Sequence, residues 1–359
     1  MTLDFSKAPF PWFGGKRHAA GDIWRRLGDC AHYVEPFCGT LAVLLLRPHR
    51  CNRTYHSETV NDADGFLCNA WRAIQLRPDE TADWASWPVS EADLHARHQW
   101  LLRWQTEHEV ERLKGKQDWC DPRAAGYWLW GQSSWIGTGW CSGRGPWVVD
   151  ADGRLTKRPR SAGRSEPGAW RQLPHIGDNG RGVNHAGLRE PGAGADPDWH
   201  PMTMPELRNW FRFLSARLRH VRILCGDWTR ATTNGATISL SVDEQTPCGV
   251  FLDPPYSGAV RNADLYSTDS GTVAADVRDW CAANGDNPLY RICLAGFAGE
   301  GHESLVGLGW SDVEWYSAGF LRGGMGNTAG SGKTQQKRER LLFSPHCLGD
   351  EPAAQGSLF

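Results

Sequence analysis

The sequence predicts an α/β protein built around a parallel sheet, and three observations support this class. A short strand pattern at 32–35 is followed by a turn that contains Gly39 and by an apolar helical run at 41–46. Two further strand patterns, 221–224 and 249–252, each end in turn residues, and a helical pattern follows the second of them after a polar loop. The stretch between the two groups of strands is poor in aliphatic residues over much of its length. Alternating strands and helices are typical of sheets whose strands run parallel.

Length and composition predict a folded protein with a substantial core. The chain has 359 residues, of which 40% are hydrophobic, and its formal net charge is −2. With so little net charge, a polyanionic partner would have to be held by a local basic patch. The first residues do not form a signal peptide, and no stretch is long and apolar enough to span a bilayer. We therefore expect a cytoplasmic protein without a membrane segment.

Cysteine and histidine spacing does not predict a metal site. The 11 cysteines are scattered, and no two of them form a C-x-x-C pair. His95 and His98 lie three positions apart in a predicted helix, but no second pair of ligands is close in sequence. The 20 tryptophans, many of them in the middle third, predict aromatic packing, although aromatic residues among basic ones are also typical of nucleic-acid surfaces.

The N-terminal elements predict a nucleotide-like site. They are expected to be a helix through Ile23 and Leu27, a strand at 32–35, a helix at 41–46, a strand at 54–60 and a helix at 63–76. A strand, a glycine turn and a helix begin a βαβ unit, in which the helix N-terminus can receive such a ligand. Asp62 follows the next strand roughly 20 residues beyond the turn, where an acidic residue can bind ribose hydroxyls.

The middle of the chain changes in composition after Pro78. Helical patterns run over 90–113 and 122–132, and residues 134–200 are then rich in Gly, Pro, Arg and Trp. The dipeptide Asp152-Gly153 between two short strand patterns is a hairpin signal. Such a long irregular segment inside an enzyme is usually functional or disordered.

The C-terminal part returns to the α/β pattern. Its expected elements are a helix capped by Thr203 and Glu206, strands at 221–224 and 249–252, a helix to about 283, and strands at 289–294, 312–316 and 340–343. The glycine-rich loop at 323–334 contains Gly-Lys-Thr, but Asn327 stands where a Walker A loop needs glycine. We therefore expect a mobile surface loop and no phosphate site there.

The tetrapeptide Asp253-Pro254-Pro255-Tyr256 follows a buried strand pattern. A carboxylate and a neighbouring backbone carbonyl can together accept both hydrogens of an exocyclic amine, and the prolines fix the turn and remove competing donors. Tyr256 would offer a flat face for a base. The alternative is a simple proline turn after a strand.

The motifs together resemble the Dam-like (D12 class) family of DNA adenine-N6 methyltransferases. In chain order they are Trp12-Phe13-Gly14-Gly15-Lys16, Tyr33 to Phe37 with Gly39, Asn61-Asp62, Gly226-Asp227-Trp228 and Asp253 to Tyr256. The resemblance covers roughly 9–77 and 203–344. It implies a Rossmann-like sheet that binds S-adenosylmethionine, no metal, and an inserted, mostly helical and irregular target-recognition region.

The resemblance also implies roles for individual residues. Cofactor contacts are implied for Trp12, Gly14, Gly15, Lys16, Glu35, Pro36, Phe37, Gly39, Asp62, Asp227 and Asp253. The catalytic site is implied to consist of Asp253, Pro254, Pro255 and Tyr256. Three positions depart from the family pattern: Thr40 stands where a second glycine is common, Phe13 where alanine is usual, and Trp228 where phenylalanine is usual.

The expected organisation has four parts. Residues 1–77 and 203–344 are the cofactor-binding and catalytic halves, 78–202 the target-recognition region, and 345–359 a flexible tail. The expected partner is DNA, bound by a monomer. A basic run without acidic residues, at the end of the hairpin signal, predicts DNA contacts by Arg154, Lys157, Arg158, Arg160 and Arg164. A solvated loop is the alternative for this run.

The implied chemistry is methyl transfer to an adenine amino group that has been flipped out of the duplex. Hydrogen bonds to Asp253 and to the Pro254 carbonyl would accommodate the positive charge that develops on nitrogen. Four alternatives remain open: a cytosine-N4 DNA methyltransferase, an adenine-N6 RNA methyltransferase, a DNA-binding relative without catalysis, and a nucleotide hydrolase. The last is disfavoured by the broken Walker spacing.

Overall fold

The computed structural model describes residues 6–10, 12, 15–48, 56–106, 113–116, 118–135, 140–141, 147–149, 155–157, 203–238, 246–255, 272–315 and 339–349. Several predictions fall outside these residues: those for Gly14, Arg154, Arg158, Arg160, Arg164, Tyr256, the loop 323–334 and the end of the tail. Within the described ranges, no helix is both long and apolar enough to cross a membrane.

The fold is built on a sheet of seven strands. The described residues include nine strands, which are in chain order β1 His32–Glu35, β2 Ser57–Asp62, β3 Trp147–Val149, β4 Leu155–Lys157, β5 Val221–Cys225, β6 Cys248–Leu252, β7 Tyr290–Phe297, β8 Ser311–Glu314 and β9 Glu339–Phe343. The large sheet has the order β5-β2-β1-β6-β7-β9-β8, and β3 and β4 form a separate antiparallel ribbon. Pairing is parallel from β5 through β7, and only β9 runs against its neighbours. The prediction of a mostly parallel α/β sheet is confirmed.

The helices are α1 Ala20–Leu27, α2 Ala42–Leu45, α3 Gly65–Leu76, α4 Pro78–Ala85, α5 Glu91–Thr106, α6 Pro122–Ser134, α7 Met204–Leu218 and α8 Val273–Asn284. The predicted capping box begins α7, where Thr203 and Glu206 satisfy each other's backbone N–H. The sequence does not predict α4. Pro78 suggests a break, but it occupies the first turn of this helix, where its missing N–H costs nothing.

Alternating residues of the strands pack into two different cores. Tyr33 and Phe251 belong to the larger core, together with apolar residues of α1, α3 and α7. Val34 and Val250, their neighbours in the chain, belong to a second core with residues of α8. Because successive side chains of a strand point to opposite faces, helices cover both faces of the sheet. This arrangement leaves the ends of the strands as the place for a site.

The helices α4, α5 and α6 share the larger core with the sheet. Trp71 of α3 and Trp128 of α6 are both fully buried there. Asn69 of α3 and the backbone of Asp121, which caps α6, exchange two hydrogen bonds: Asn69 Nδ2 donates to Asp121 O at 2.9 Å, and Asp121 N donates to Asn69 Oδ1 at 2.8 Å. The helical segment that begins after α3 is therefore continuous with the α/β core.

The predicted hairpin is present as the ribbon of β3 and β4. Its register pairs Trp147 with Lys157 and Val149 with Leu155, around the Asp152-Gly153 dipeptide. The helical part of the middle region is also confirmed, by α5 and α6. Most of residues 134–200 lie outside the described residues.

Candidate active site

Four parallel strands end at one edge of the sheet, and the turns at these strand ends form the candidate site. The turns begin at Pro36 after β1, at Asp62 in β2, at Gly226 after β5 and at Asp253 after β6. In the strand order, chain direction across the sheet reverses between β1 and β6. In open α/β sheets, ligands bind in the crevice at the carboxyl ends of the strands on either side of such a reversal.

Asn61 fixes two of these turns relative to each other. Its Nδ2 donates to Pro36 O and to Gly226 O, both at 3.0 Å, and its backbone oxygen accepts from Cys38 N at 2.9 Å. The side chain is 1% exposed. The sequence singles out the Asn61-Asp62 pair but assigns a role only to Asp62. Nothing in the spacing of Asn61 could have indicated that it connects β1 to β5.

Gly39 gives the turn after β1 its close approach to Trp12. Its φ of +43° favours glycine, and a Cβ atom would lie 3.1 Å from Trp12 Nε1. Its N–H donates to Asp62 Oδ2 at 3.2 Å, and its carbonyl accepts from Trp71 Nε1 at 2.8 Å. The glycine therefore joins the N-terminal tryptophan to the acidic residue of β2.

Asp62 is a partly exposed carboxylate held by backbone donors. Asp62 Oδ1 accepts from Asp64 N at 3.0 Å, in addition to the bond from Gly39. Burial raises the pKa of Asp62 to about 7, even though these hydrogen bonds act in the opposite direction. A carboxylate has more acceptor positions than the two used here, so Asp62 can still accept from ligand hydroxyl groups.

Glu35 is a buried acid at the end of β1, with 2% of its surface exposed. Burial raises its pKa to about 8, and the charge of Asp253 acts in the same direction. The hydrogen bond that Tyr33 Oη donates to Glu35 Oε2, at 3.1 Å, acts against this shift without cancelling it. Glu35 is therefore mostly protonated at neutral pH.

Two aromatic side chains, which form an aromatic surface, lie beside the turn after β5. Phe37 and Trp228 lie with their ring centroids 6.0 Å apart and their planes inclined by 30°. Trp228 is buried and Phe37 is half-buried, so part of the Phe37 ring remains accessible. Asp227 is exposed, and its carboxylate accepts from the N–H and the hydroxyl of Thr229.

The turn after β6 brings Asp253 to Lys16. The Lys16 Nζ atom lies 2.9 Å from Asp253 Oδ2 and 5.9 Å from the centre of the Trp315 ring. Lys16 is 4% exposed and the Asp253 side chain 20%. Pro254 is buried and Pro255 is half-buried. The pair lies at the switch point of the sheet, which is the place where chain direction across the sheet reverses between β1 and β6. On either side of it are the turn after β1 and the end of β7.

Most of the predicted site residues that the structure describes lie at this edge. They are Trp12, Gly15, Lys16, Glu35, Pro36, Phe37, Gly39, Asp62, Asp227, Asp253, Pro254 and Pro255. Sequence reasoning missed Asn61 and also Glu339, the first residue of β9. In the part of the chain that the structure describes, no group of three or more His, Cys, Asp or Glu side chains could hold a metal ion.

One comparison with known proteins, a match to a family model, agrees with the resemblance. A search of curated proteins found no match. The matched family model covers α1 to α4, with Trp12, Lys16, Glu35, Gly39 and Asp62, and stops before Asp253. The mostly parallel sheet is consistent with the Rossmann-like fold of a methyltransferase. Residues 12–91 of this chain match the family described as D12 class N6 adenine-specific DNA methyltransferase.

Proposed function

We propose that this protein transfers a methyl group from S-adenosylmethionine to the N6 amino group of adenine in DNA. One observation carries the proposal: Asp253 and the Pro254 turn lie at the switch point of the sheet, joined by Lys16 to the segment that matches the methyltransferase family. The carboxylate is thereby presented beside the turns expected to hold a cofactor.

The chemistry of the side chains at this edge suits S-adenosylmethionine. Asp62 has acceptor capacity left for ribose hydroxyls, and Phe37 with Trp228 offers an aromatic surface for the adenine ring. Gly39 lets the backbone approach Trp12, another residue proposed to contact the cofactor, closely. The Asp253 carboxylate suits the positive charge of the sulfonium and of the developing ammonium. When bound, S-adenosylmethionine supplies an electrophilic methyl group.

The role proposed for the turn after β6 is to hold the target amine. The Asp253 carboxylate and the Pro254 carbonyl accept the two amino hydrogens, which favours attack by nitrogen and accommodates its developing positive charge. Lys16 holds the Asp253 carboxylate in place before the base arrives. Tyr256 is proposed to stack on the flipped base, which compensates part of the cost of unstacking, a few kcal/mol.

The enzyme's DNA contacts are proposed to lie in residues 78–202. The ribbon of β3 and β4 supports this placement, because a two-stranded ribbon fits the major groove and the basic run begins at its second strand.

The test is to incubate the purified protein with methyl-labelled S-adenosylmethionine and duplex DNA, digest the DNA, and identify the labelled nucleoside by mass spectrometry. We expect N6-methyldeoxyadenosine. Labelled N4-methyldeoxycytidine would show that the target is the N4 amino group of cytosine. Label found only in an RNA substrate would show that the target is RNA. No label in either substrate would overturn the proposal, and calorimetry would then show whether the protein still binds the cofactor.

A further inference from the structure

Glu339, the first residue of β9, lies at the same edge of the sheet as Asp253. It is paired in the sheet with Phe297, the last residue of β7. Because β9 runs antiparallel to β7, and β7 runs parallel to β6, the start of β9 falls where β6 ends. No motif or spacing in the sequence indicates a role for this glutamate.

Trp315 lies between the backbone of Glu339 and Lys16. Its ring centre is 5.9 Å from Lys16 Nζ, and its backbone N–H donates to Glu339 O at 3.2 Å. Glu339 Oε2 is withdrawn from solvent, and within the described residues it has no hydrogen-bond partner. A buried carboxylate oxygen without a donor destabilises the folded state, so its retention calls for a functional explanation.

Glu339, Lys16 and Asp253 also interact electrostatically. Burial raises the pKa of Glu339, the ammonium of Lys16 acts against this shift, and the charge of Asp253 adds to it. Glu339 and Asp253 therefore both interact electrostatically with the Lys16 ammonium. A change in the partners of Lys16 or Asp253 must alter the electrostatic environment of Glu339.

We propose that Glu339 is a positioning residue for methyl transfer, holding the Lys16 ammonium while Asp253 receives the amino group of the target base. The inference rests on the proposed function. In the structure, Lys16 engages Asp253 Oδ2, the carboxylate that the incoming amine needs as an acceptor. A buried ammonium that gives up a carboxylate requires negative charge nearby, and Glu339 Oε2 supplies an acceptor not otherwise used.

The experiment compares Glu339→Gln with Glu339→Asp and with a control, Glu314→Gln. Glu314 lies at the end of β8, is 56% exposed and pairs with Arg340, so its substitution should leave methyl transfer unchanged. For Glu339→Gln we expect kcat to fall about ten- to a hundredfold, the usual effect of misplacing a reacting group. KM for DNA and Kd for S-adenosylmethionine should stay within about twofold of the parent values. Glu339→Asp should recover part of kcat.

Two further measurements separate positioning from a structural role. Because Glu339 Oε2 has no donor among the described residues, Glu339→Gln should unfold at the same temperature as the parent or a higher one. In a Lys16→Gln background, Glu339→Gln should cause no further loss, because the two residues act as a unit.

Unchanged kcat in Glu339→Gln would overturn this inference. So would a double variant, Lys16→Gln with Glu339→Gln, whose fold-loss in kcat equals the product of the two single losses. So would equal losses in Glu339→Gln and Glu314→Gln. A parent protein without any transferase activity would instead overturn the proposed function itself, so the two failures are distinguishable.

Discussion

The Lys16 ammonium lies 2.9 Å from the Asp253 carboxylate, although 237 positions separate the two residues in the chain. The contact joins the segment before α1 to the end of β6, and Lys16 is almost completely buried. When a charged pair is largely withdrawn from water, removing one partner leaves the other as an uncompensated buried charge. It also places a fixed positive charge beside the acid expected to receive the target amine.

Replacing Asp253 with asparagine is expected to lower the rate of methyl transfer by at least about a hundredfold, because it removes the charged acceptor of the amine. Single-turnover transfer of labelled methyl groups to DNA measures this rate. Circular dichroism should show the parent fold. Transfer at the parent rate would mean that the catalytic centre lies elsewhere.

Asp62→Ala is expected to weaken S-adenosylmethionine binding by about 1–3 kcal/mol, the usual cost of leaving polar partners unpaired. Asp64, two positions away, provides the control. Its carboxylate caps α3 by accepting from Phe66 N and Leu67 N, so Asp64→Ala should lower the free energy of unfolding by about 1 kcal/mol. Calorimetry should show the larger loss of cofactor affinity in Asp62→Ala. The reverse order would contradict the role proposed for Asp62.

Glu35 should make the protein less stable as pH rises. Its pKa is about 8 in the folded protein and about 4.3 in an unfolded chain. The folded state therefore binds this proton more tightly, and its stabilising contribution is present at low pH and lost as pH rises through the folded value. Between about pH 5 and about pH 9, the free energy of unfolding should fall on the order of a few kcal/mol from this group.

Glu35→Gln provides the comparison, because glutamine has a similar shape and does not titrate. Urea unfolding of both proteins at a series of pH values should give a flatter dependence for the variant. Parallel curves would show that Glu35 is ionised in the folded protein across this range.

Replacing Lys157, Arg158 and Arg160 together with alanine is expected to weaken DNA binding and to reduce its dependence on salt concentration. Affinity for S-adenosylmethionine should not change. A matched control removes three charges elsewhere: Arg25, Arg208 and Arg212 each form an exposed ion pair with an aspartate. Such pairs contribute little to stability, and this triple variant should keep the parent DNA affinity.

Binding titrations at several salt concentrations measure both effects. If the first triple variant matches the parent in affinity and salt slope, recognition lies elsewhere, and the loop 323–334 becomes the next place to test.

Signals that are local in sequence predicted the fold well. The capping residues of α7, the apolar runs of β1 and β6 and the glycine turn at Gly39 each carry their information within a few positions. The predicted bounds of the elements differ from the observed bounds mainly at strand ends. β7 continues to Phe297, beyond the predicted end at 294, because pairing with β9 extends it.

Contacts between distant segments could not be predicted in the same way. The pairing of Lys16 with Asp253, the link that Asn61 makes between two turns, and the place of Glu339 all depend on strand order. A single sequence gives the strands without saying which are neighbours. The resemblance supplied part of this information for the cofactor turns, and none for Asn61 or Glu339.

The exchange of hydrogen bonds between Asn69 and Asp121 limits how this protein could be re-engineered. A segment that few contacts tie to the rest of a fold can be exchanged without disturbing buried packing. Here a replacement beginning after α3 would leave the Asn69 amide without its partners and uncover the buried face of Trp71. Under the proposed function, a chimera designed for a different DNA specificity would have to keep α4 to α6 from this chain and replace only residues beyond Ser134.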